Sequence, residues 1–263
     1  MRIIKYEIKR AFSSFGFKIS ILIGILIGIL DLSLFHDIYK SSESAILIQA
    51  WIGTDFVFAY NNLFYVLLPI LACLPYAGTY FSDIHNGYDK NICIRTSRIS
   101  YWFAKCIAVF LSAFSAIVIP LLINLLLCAG FYPNYRPEKL FFITTGIQDV
   151  NMFANIFHKN PLLYMIIFTI IDGLFGGLMG LMSVCFSRWA SNQFSTLMFP
   201  FVIYIYTGVV LAFKDGYNYG IREMVNPLQT YITRVEYMFF SYLFLFIICV
   251  SISWLWTRKR DIL

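Results

Sequence analysis

Charge is scarce in this chain of 263 residues. Asp, Glu, Lys and Arg together make up 13% of it, about half of what a soluble domain carries. Hydrophobic residues make up 60% and aromatic residues 19%. A soluble globule of this composition would expose much of that apolar surface to water, so that class is excluded. Disorder is excluded too, because it needs few apolar residues. Histidine is scarcer still: His36, His85 and His158 are far apart and lack metal-ligand spacing. The six cysteines, Cys73, Cys93, Cys106, Cys128, Cys185 and Cys249, form no C-x-x-C pair, which argues against a zinc site or a disulfide framework. Phosphate-cradling G-x-x-x-x-G-K-[ST], zinc-binding H-E-x-x-H and nucleophile-bearing G-x-S-x-G are all absent. The chain is therefore not expected to be an enzyme, and no cofactor is expected on it. No hydrophilic stretch is large enough for a separate soluble domain, so 1–263 reads as a single membrane domain.

What remains is a series of long apolar runs. One bilayer crossing takes ~20 apolar residues. Six runs qualify, at about 17–34, 56–81, 101–129, 161–186, 194–213 and 238–256, giving an all-α polytopic membrane protein with six transmembrane helices. Pro69 and Pro75 interrupt the second run, which predicts a kink or a broken helix there, tolerated only where protein or a wet cavity satisfies the freed backbone groups. Gly24 and Gly28 in the first run are four apart, as are Gly173/Gly177 and Gly176/Gly180 in the fourth. Such spacing predicts close helix packing rather than a ligand site.

The net charge of +6 does not point to nucleic acid, because the basic residues flank the apolar runs and read as a topology signal. With the N-terminus inside, the inner segments hold Arg2, Lys5, Lys9, Arg10, Lys18, Lys90, Arg95, Arg98, Lys105, Arg188, Arg258, Lys259 and Arg260. The outer loops, although longer, hold seven of the 20 Lys and Arg. Both termini are therefore expected in the cytoplasm, on a multi-pass protein of the cell membrane.

Residues 1–16 interleave basic residues with Ile4, Ile8, Phe12 and Phe15 on one helical face. This reads either as an amphipathic helix on the membrane surface or as a plain basic flank that sets orientation. Segment 82–100 follows the second run. Asp83 sits at the membrane exit, Gly87 can end the helix, and Ile92 and Ile94 suit a short helix with an apolar face for a cytosolic partner. The alternative is a solvated positive-inside loop. Asp83 is placed to pair with Arg98 or Lys105 and so fix the hairpin. Asp172 reads as the one ionisable residue well inside a run, which defaults to a functional hypothesis; the bland alternative is a protonated, hydrogen-bonded side chain. Asn124 lies at a depth from which it could be its partner. Met224–Thr233 suits either short re-entrant helices or an ordinary surface loop.

Three stretches carry a resemblance over nearly the whole chain. They are the N-terminal Tyr6-Glu7-Ile8-Lys9-Arg10-Ala11-Phe12 leading into the first span, the acid–Gly–Arg–Lys loop after the second, and the Gly-rich fourth span passing through a short basic turn into the fifth. In order and spacing they resemble the permease subunits of ABC-2 type ABC transporters. The resemblance implies a half-size permease with no fused ATPase. A separate ATP-binding subunit, two copies per complex, would hold ATP and Mg. A second permease copy or a paralogue would complete the substrate path. Tyr6, Glu7, Lys9 and Arg10 would belong to a connector helix. Asp83, Gly87, Ile92, Ile94, Arg95, Arg98 and Lys105 would belong to the coupling loop. An amphipathic peptide, toxin or drug is the expected cargo. Two alternatives stay open: a proton-coupled secondary transporter using Asp172, and a non-transporting immunity or accessory protein.

Overall fold

A computed structural model describes residues 2–40, 45–55, 59–94, 96–136, 151–213, 220–229 and 233–259. All regular secondary structure among the described residues is helical, with no strand among them. In chain order the helices are α1 (Arg2–Phe12), α2 (Phe15–Tyr39), α3 (Leu47–Ala50), α4 (Ala59–Cys73), α5 (Thr79–His85), α6 (Tyr88–Cys93), α7 (Arg98–Phe131), α8 (Ala154–Lys159), α9 (Pro161–Phe186), α10 (Gln193–Phe213), α11 (Ile221–Val225) and α12 (Val235–Lys259). Four helices are long and apolar enough to cross a membrane: α2, α7, α9 and α10 over Gln193–Leu211. The second and sixth expected spans appear as shorter apolar helices, Ala59–Cys73 and Val235–Ser251. The second breaks after Cys73 into a run of turns before α5 begins. Residues 56–58, at its expected start, lie outside the described residues, as do Arg95 and Arg260.

The core gathers around α7 and α9, which pack along each other with α2, α4, α10 and α12 around them. Glycine makes this approach possible. A Cβ on Gly173, Gly176 or Gly177 would come within 2.5–2.8 Å of Val118, Ile117 or Phe110 on α7, and one on Gly180 within 3.1 Å of Val109 and Ala113. On α2, Gly24 lies against Pro120 and Gly28 against Asn124. All six glycines serve helix packing.

The prolines show how broken backbone survives without water. Proline lacks an N–H, so the carbonyl four residues earlier loses its helical partner. Pro69 frees the Tyr65 carbonyl, which accepts from the Tyr204 hydroxyl at 3.1 Å. Pro200 frees the Thr196 carbonyl, which accepts from Ser183 Oγ at 2.8 Å. Pro75 frees the Leu71 carbonyl, which accepts from Ser20 Oγ at 2.7 Å. In each case the hydroxyl comes from a different helix, so the repair of one helix also docks another.

Segment Ala45–Asp55 lies folded into the bundle, every residue of it buried except the half-buried Gln49. Asn124 holds it in place: its Oδ1 accepts from the Ile52 amide at 3.1 Å while its Nδ2 donates to the Gly28 carbonyl at 2.9 Å. Asn124 is thus a clamp between α2, α7 and this segment, and not a partner of Asp172. At the same end, Met224, Val225, Leu228, Gln229 and Thr233 are buried. The Gln229 side chain joins Met152, Tyr164 and Thr233 by hydrogen bonds of 2.7–3.1 Å. Residues 230–232 of the expected re-entrant segment lie outside the described residues.

Candidate functional site: the α1–α6–α7 junction

The opposite end of the bundle concentrates buried charge. Ser14 caps α2, its Oγ accepting from the Phe17 amide at 3.1 Å and donating to the Pro75 carbonyl at 2.6 Å. That double contact turns the chain back, so that α1 lies along the first turns of α7. Glu7 and Ala11 are then fully buried. The helix expected over 1–16 is real over Arg2–Phe12, but it packs on protein. Its inward face includes Glu7 and Ala11 and not only the Ile4–Ile8–Phe12 stripe, because a charged partner waits on α7.

That partner is Lys105, whose side chain is fully buried. Its Nζ lies 2.6 Å from Asp83 Oδ2 and 3.3 Å from Glu7 Oε2, with the Tyr76 ring 4.2 Å away. Arg10 grips Asp83 with both guanidinium nitrogens, Nη1 donating to Oδ2 at 3.0 Å and Nη2 to Oδ1 at 2.8 Å. The Tyr101 hydroxyl donates to Asp83 Oδ2 at 2.8 Å, and the Tyr76 hydroxyl to Glu7 Oε2 at 2.7 Å. Two carboxylates face two cations, so the quartet is neutral. It ties α1, α5 and the start of α7 into one joint.

Burial alone would raise the Asp83 carboxyl, but the Arg10 hydrogen bonds and the Lys105 charge outweigh it and hold it below the ordinary carboxylate range. Burial alone would lower the Arg10 guanidinium, and Asp83 more than reverses that. Such a quartet adds little net stability relative to an apolar packing. Removing one member, however, leaves an uncompensated buried charge, which is what fixes the geometry.

Gly87 adopts φ 68°, the left-handed conformation that glycine takes without strain, and separates α5 from α6. The Tyr88 hydroxyl donates to Tyr6 at 3.3 Å. The Arg10 guanidinium stacks 4.9 Å from the Tyr88 ring. Burial, then the bond to Tyr6, pushes the Tyr88 hydroxyl up to about 12. Ile94 ends α6 and is 83% exposed. Ile92 departs from expectation: it is half-buried and packs back against the core, so the two isoleucines do not share one outward face. Both nonetheless line an open groove of about 660 Å³ with Ile3, Tyr6, Tyr88, Asn91 and Thr96. Lys9 is exposed. Arg98 begins α7 but is not part of the quartet, so Lys105 is the partner of Asp83. Arg95 falls outside the described residues.

Asp172 stands apart, fully buried on α9. Its Oδ2 accepts from the Tyr65 hydroxyl at 3.0 Å, and its Oδ1 has no partner. It is not the sole buried acid, since Glu7, Asp31, Asp55 and Asp83 are each at most 3% exposed. Among the described residues no group of three or more His, Cys, Asp or Glu side chains is arranged to hold a metal. Among the described residues of the junction, no serine, threonine or cysteine nucleophile is hydrogen-bonded to a base.

An all-helical bundle with helices of membrane-spanning length and apolarity, closed at one end by a buried ionic joint, defines a membrane protein. Residues 21–263 match the family model described as "Protein of unknown function (DUF2705)", and the chain belongs to that family. No curated protein and no solved structure matches it.

Proposed function

We propose that the chain is the half-size permease subunit of an ATP-driven ABC-2 type exporter, crossing the cell membrane six times with both termini in the cytoplasm. It pairs with a second copy or a paralogue and with two copies of a separate ATP-binding subunit that carries ATP and Mg. One observation carries this reading: a short helix, α6, offers Ile94 to the surroundings at 83% exposure while the Asp83–Arg10–Lys105–Glu7 quartet braces its root against α1 and α7. A face that only met solvent would have no need of so rigid a base. A push on α6 passes through Asp83 and Lys105 into the 34-residue α7, around which the bundle is built. The apolar spans suit an amphipathic peptide, toxin or drug as cargo.

The test is co-purification with an ABC ATP-binding subunit, which this reading expects to be encoded beside this chain. Ile94→Asp is expected to abolish capture of the ATPase, with folded yield and melting temperature unchanged, because Ile94 supports nothing inside the protein. Capture at normal yield would refute the assignment.

Asp172 favours a second reading, a proton-coupled carrier, through its buried and unpartnered Oδ1. That reading requires flux to collapse with the proton gradient and Asp172→Asn to be inactive. ATP-dependent flux indifferent to an uncoupler would exclude it.

A further inference from the structure

Helices α7, α9 and α12 enclose an open groove of about 400 Å³, bounded on α7 by Trp102 and Leu111, on α9 by Leu181 and Cys185, and on α12 by Phe246 and Cys249. From Trp102 to Leu111 it runs nine residues along α7, about 14 Å at 1.5 Å each. Half of a ~30 Å hydrocarbon core is ~15 Å, so the groove is as deep as one leaflet. Trp102 ends it toward the start of α7, an amphipathic ring of the kind that sits at the membrane–water boundary. Its walls are otherwise apolar except for three thiols, Cys106, Cys185 and Cys249, one from each helix. The Cys185 thiol already donates to the Cys249 carbonyl at 3.1 Å. Arg98 lies one turn before Trp102 on the same side of α7. Arg188 follows Cys185 by three residues, just past the end of α9, where it donates to the Tyr80 hydroxyl at 2.8 Å. Both arginines put positive charge at the Trp102 end.

Size and polarity select the occupant. A drug-sized ligand is held in register by a few well-placed polar groups, and along the length of this groove only weak thiol donors are present. A helix from a second copy is too thick: 14 Å of a cylinder ~10 Å across displaces roughly 1,100 Å³, well over the volume of the groove. A single hydrocarbon chain is slender, one leaflet long, and needs no polar partner. The lipid that carries it then meets Arg98 and Arg188 with its headgroup, and guanidinium groups favour phosphate and net negative charge there. We infer that the groove holds one acyl chain of an anionic phospholipid, with its phosphate at the Arg98–Arg188 end. The site is the same whichever way the chain faces in the membrane, so it is independent of the exporter reading.

The experiment uses the full chain purified in detergent, stripped of lipid, and given phosphatidylglycerol or phosphatidylcholine with identical acyl chains. Native mass spectrometry should find one phosphatidylglycerol retained per chain, about tenfold over phosphatidylcholine. Equal retention of the two overturns the inference. A photoactivatable diazirine in the acyl chain of phosphatidylglycerol should crosslink to residues 102–111, 181–185 and 246–250. Crosslinks spread evenly over the exposed faces of the other helices contradict the site. So does a dimer on size-exclusion chromatography in which the groove no longer crosslinks, an outcome that gives the face to a second copy. Arg98→Gln should weaken phosphatidylglycerol retention about fivefold and leave phosphatidylcholine unchanged. Ile107→Trp fills the groove from a wall residue that is 38% exposed. It should abolish the crosslink and the retained lipid while the melting temperature stays unchanged, and retention at the wild-type level contradicts the inference. Should Ile107→Trp fail to fold, Leu111→Trp carries the same expectations.

Discussion

Asp83 receives hydrogen bonds from Arg10, Tyr101 and Lys105, and Asp83→Asn strands Lys105 in the interior with a diminished partner. The expected cost is about 3–5 kcal/mol, the usual range for breaking one side of a buried pair, read as a fall in melting temperature in detergent. Lys105→Met in the Asp83→Asn background should recover part of that loss, because the stranded cation is removed. The pH dependence follows from the sign of the shift. The folded carboxyl of Asp83 titrates below its unfolded value of about 3.9. Its contribution is therefore complete above the unfolded value and is lost as pH falls through the lower folded one. Melting curves of wild type and Asp83→Asn should converge as pH drops below about 4. That Asp83 pairs with a base at the next helix entry was legible in the sequence, because the two are close whenever the hairpin closes; which of Arg98 and Lys105 it would be, and that Arg10 would join, was not. Glu7 was not legible as a buried group, since within an amphipathic stretch a glutamate reads as the wet face. Asp31 was overlooked for a similar reason: its surroundings depend on segment Ala45–Asp55 folding inward, which local pattern does not encode.

Each proline-freed carbonyl makes an element-scale prediction that a double-mutant cycle resolves. Ser183→Ala leaves the Thr196 carbonyl without its donor and should cost about 1–3 kcal/mol, the desolvation penalty of a buried unpaired group. In a Pro200→Ala background the restored amide of residue 200 supplies the bond, and Ser183→Ala should then cost close to nothing. Equal costs in the two backgrounds would contradict the repair. Glycine offers a matched pair. A methyl on Gly16 would run into the Leu74 carbonyl, a backbone atom that cannot step aside, whereas Gly208 has nothing within 4 Å. Gly16→Ala should lower the yield of monodisperse protein on size-exclusion chromatography, and Gly208→Ala should leave it unchanged. The long helices were legible because runs of ~20 apolar residues have few other fates. The packing role of the α9 glycines was legible from their spacing. The burial of Ala45–Asp55 was not, because an apolar stretch of that length is too short to span a bilayer and carries no helical period that would point it inward.

At the scale of the whole molecule, the two ends of the bundle do different things. One end is sealed by segment Ala45–Asp55 and by the Gln229 network. The other carries the ionic joint and the exposed Ile94. Within the proposed exporter the second end must face the cytosol, where an ATP-binding subunit resides. Thiol labelling measures this most directly. In a Cys93→Ser background, a cysteine placed by Ile94→Cys should resist a membrane-impermeant maleimide in intact cells and react fully once the cells are permeabilised. One placed by Tyr135→Cys, at the opposite end and 67% exposed in the native side chain, should react in intact cells. Labelling of position 94 in intact cells would put the docking helix on the wrong side of the membrane and contradict the account.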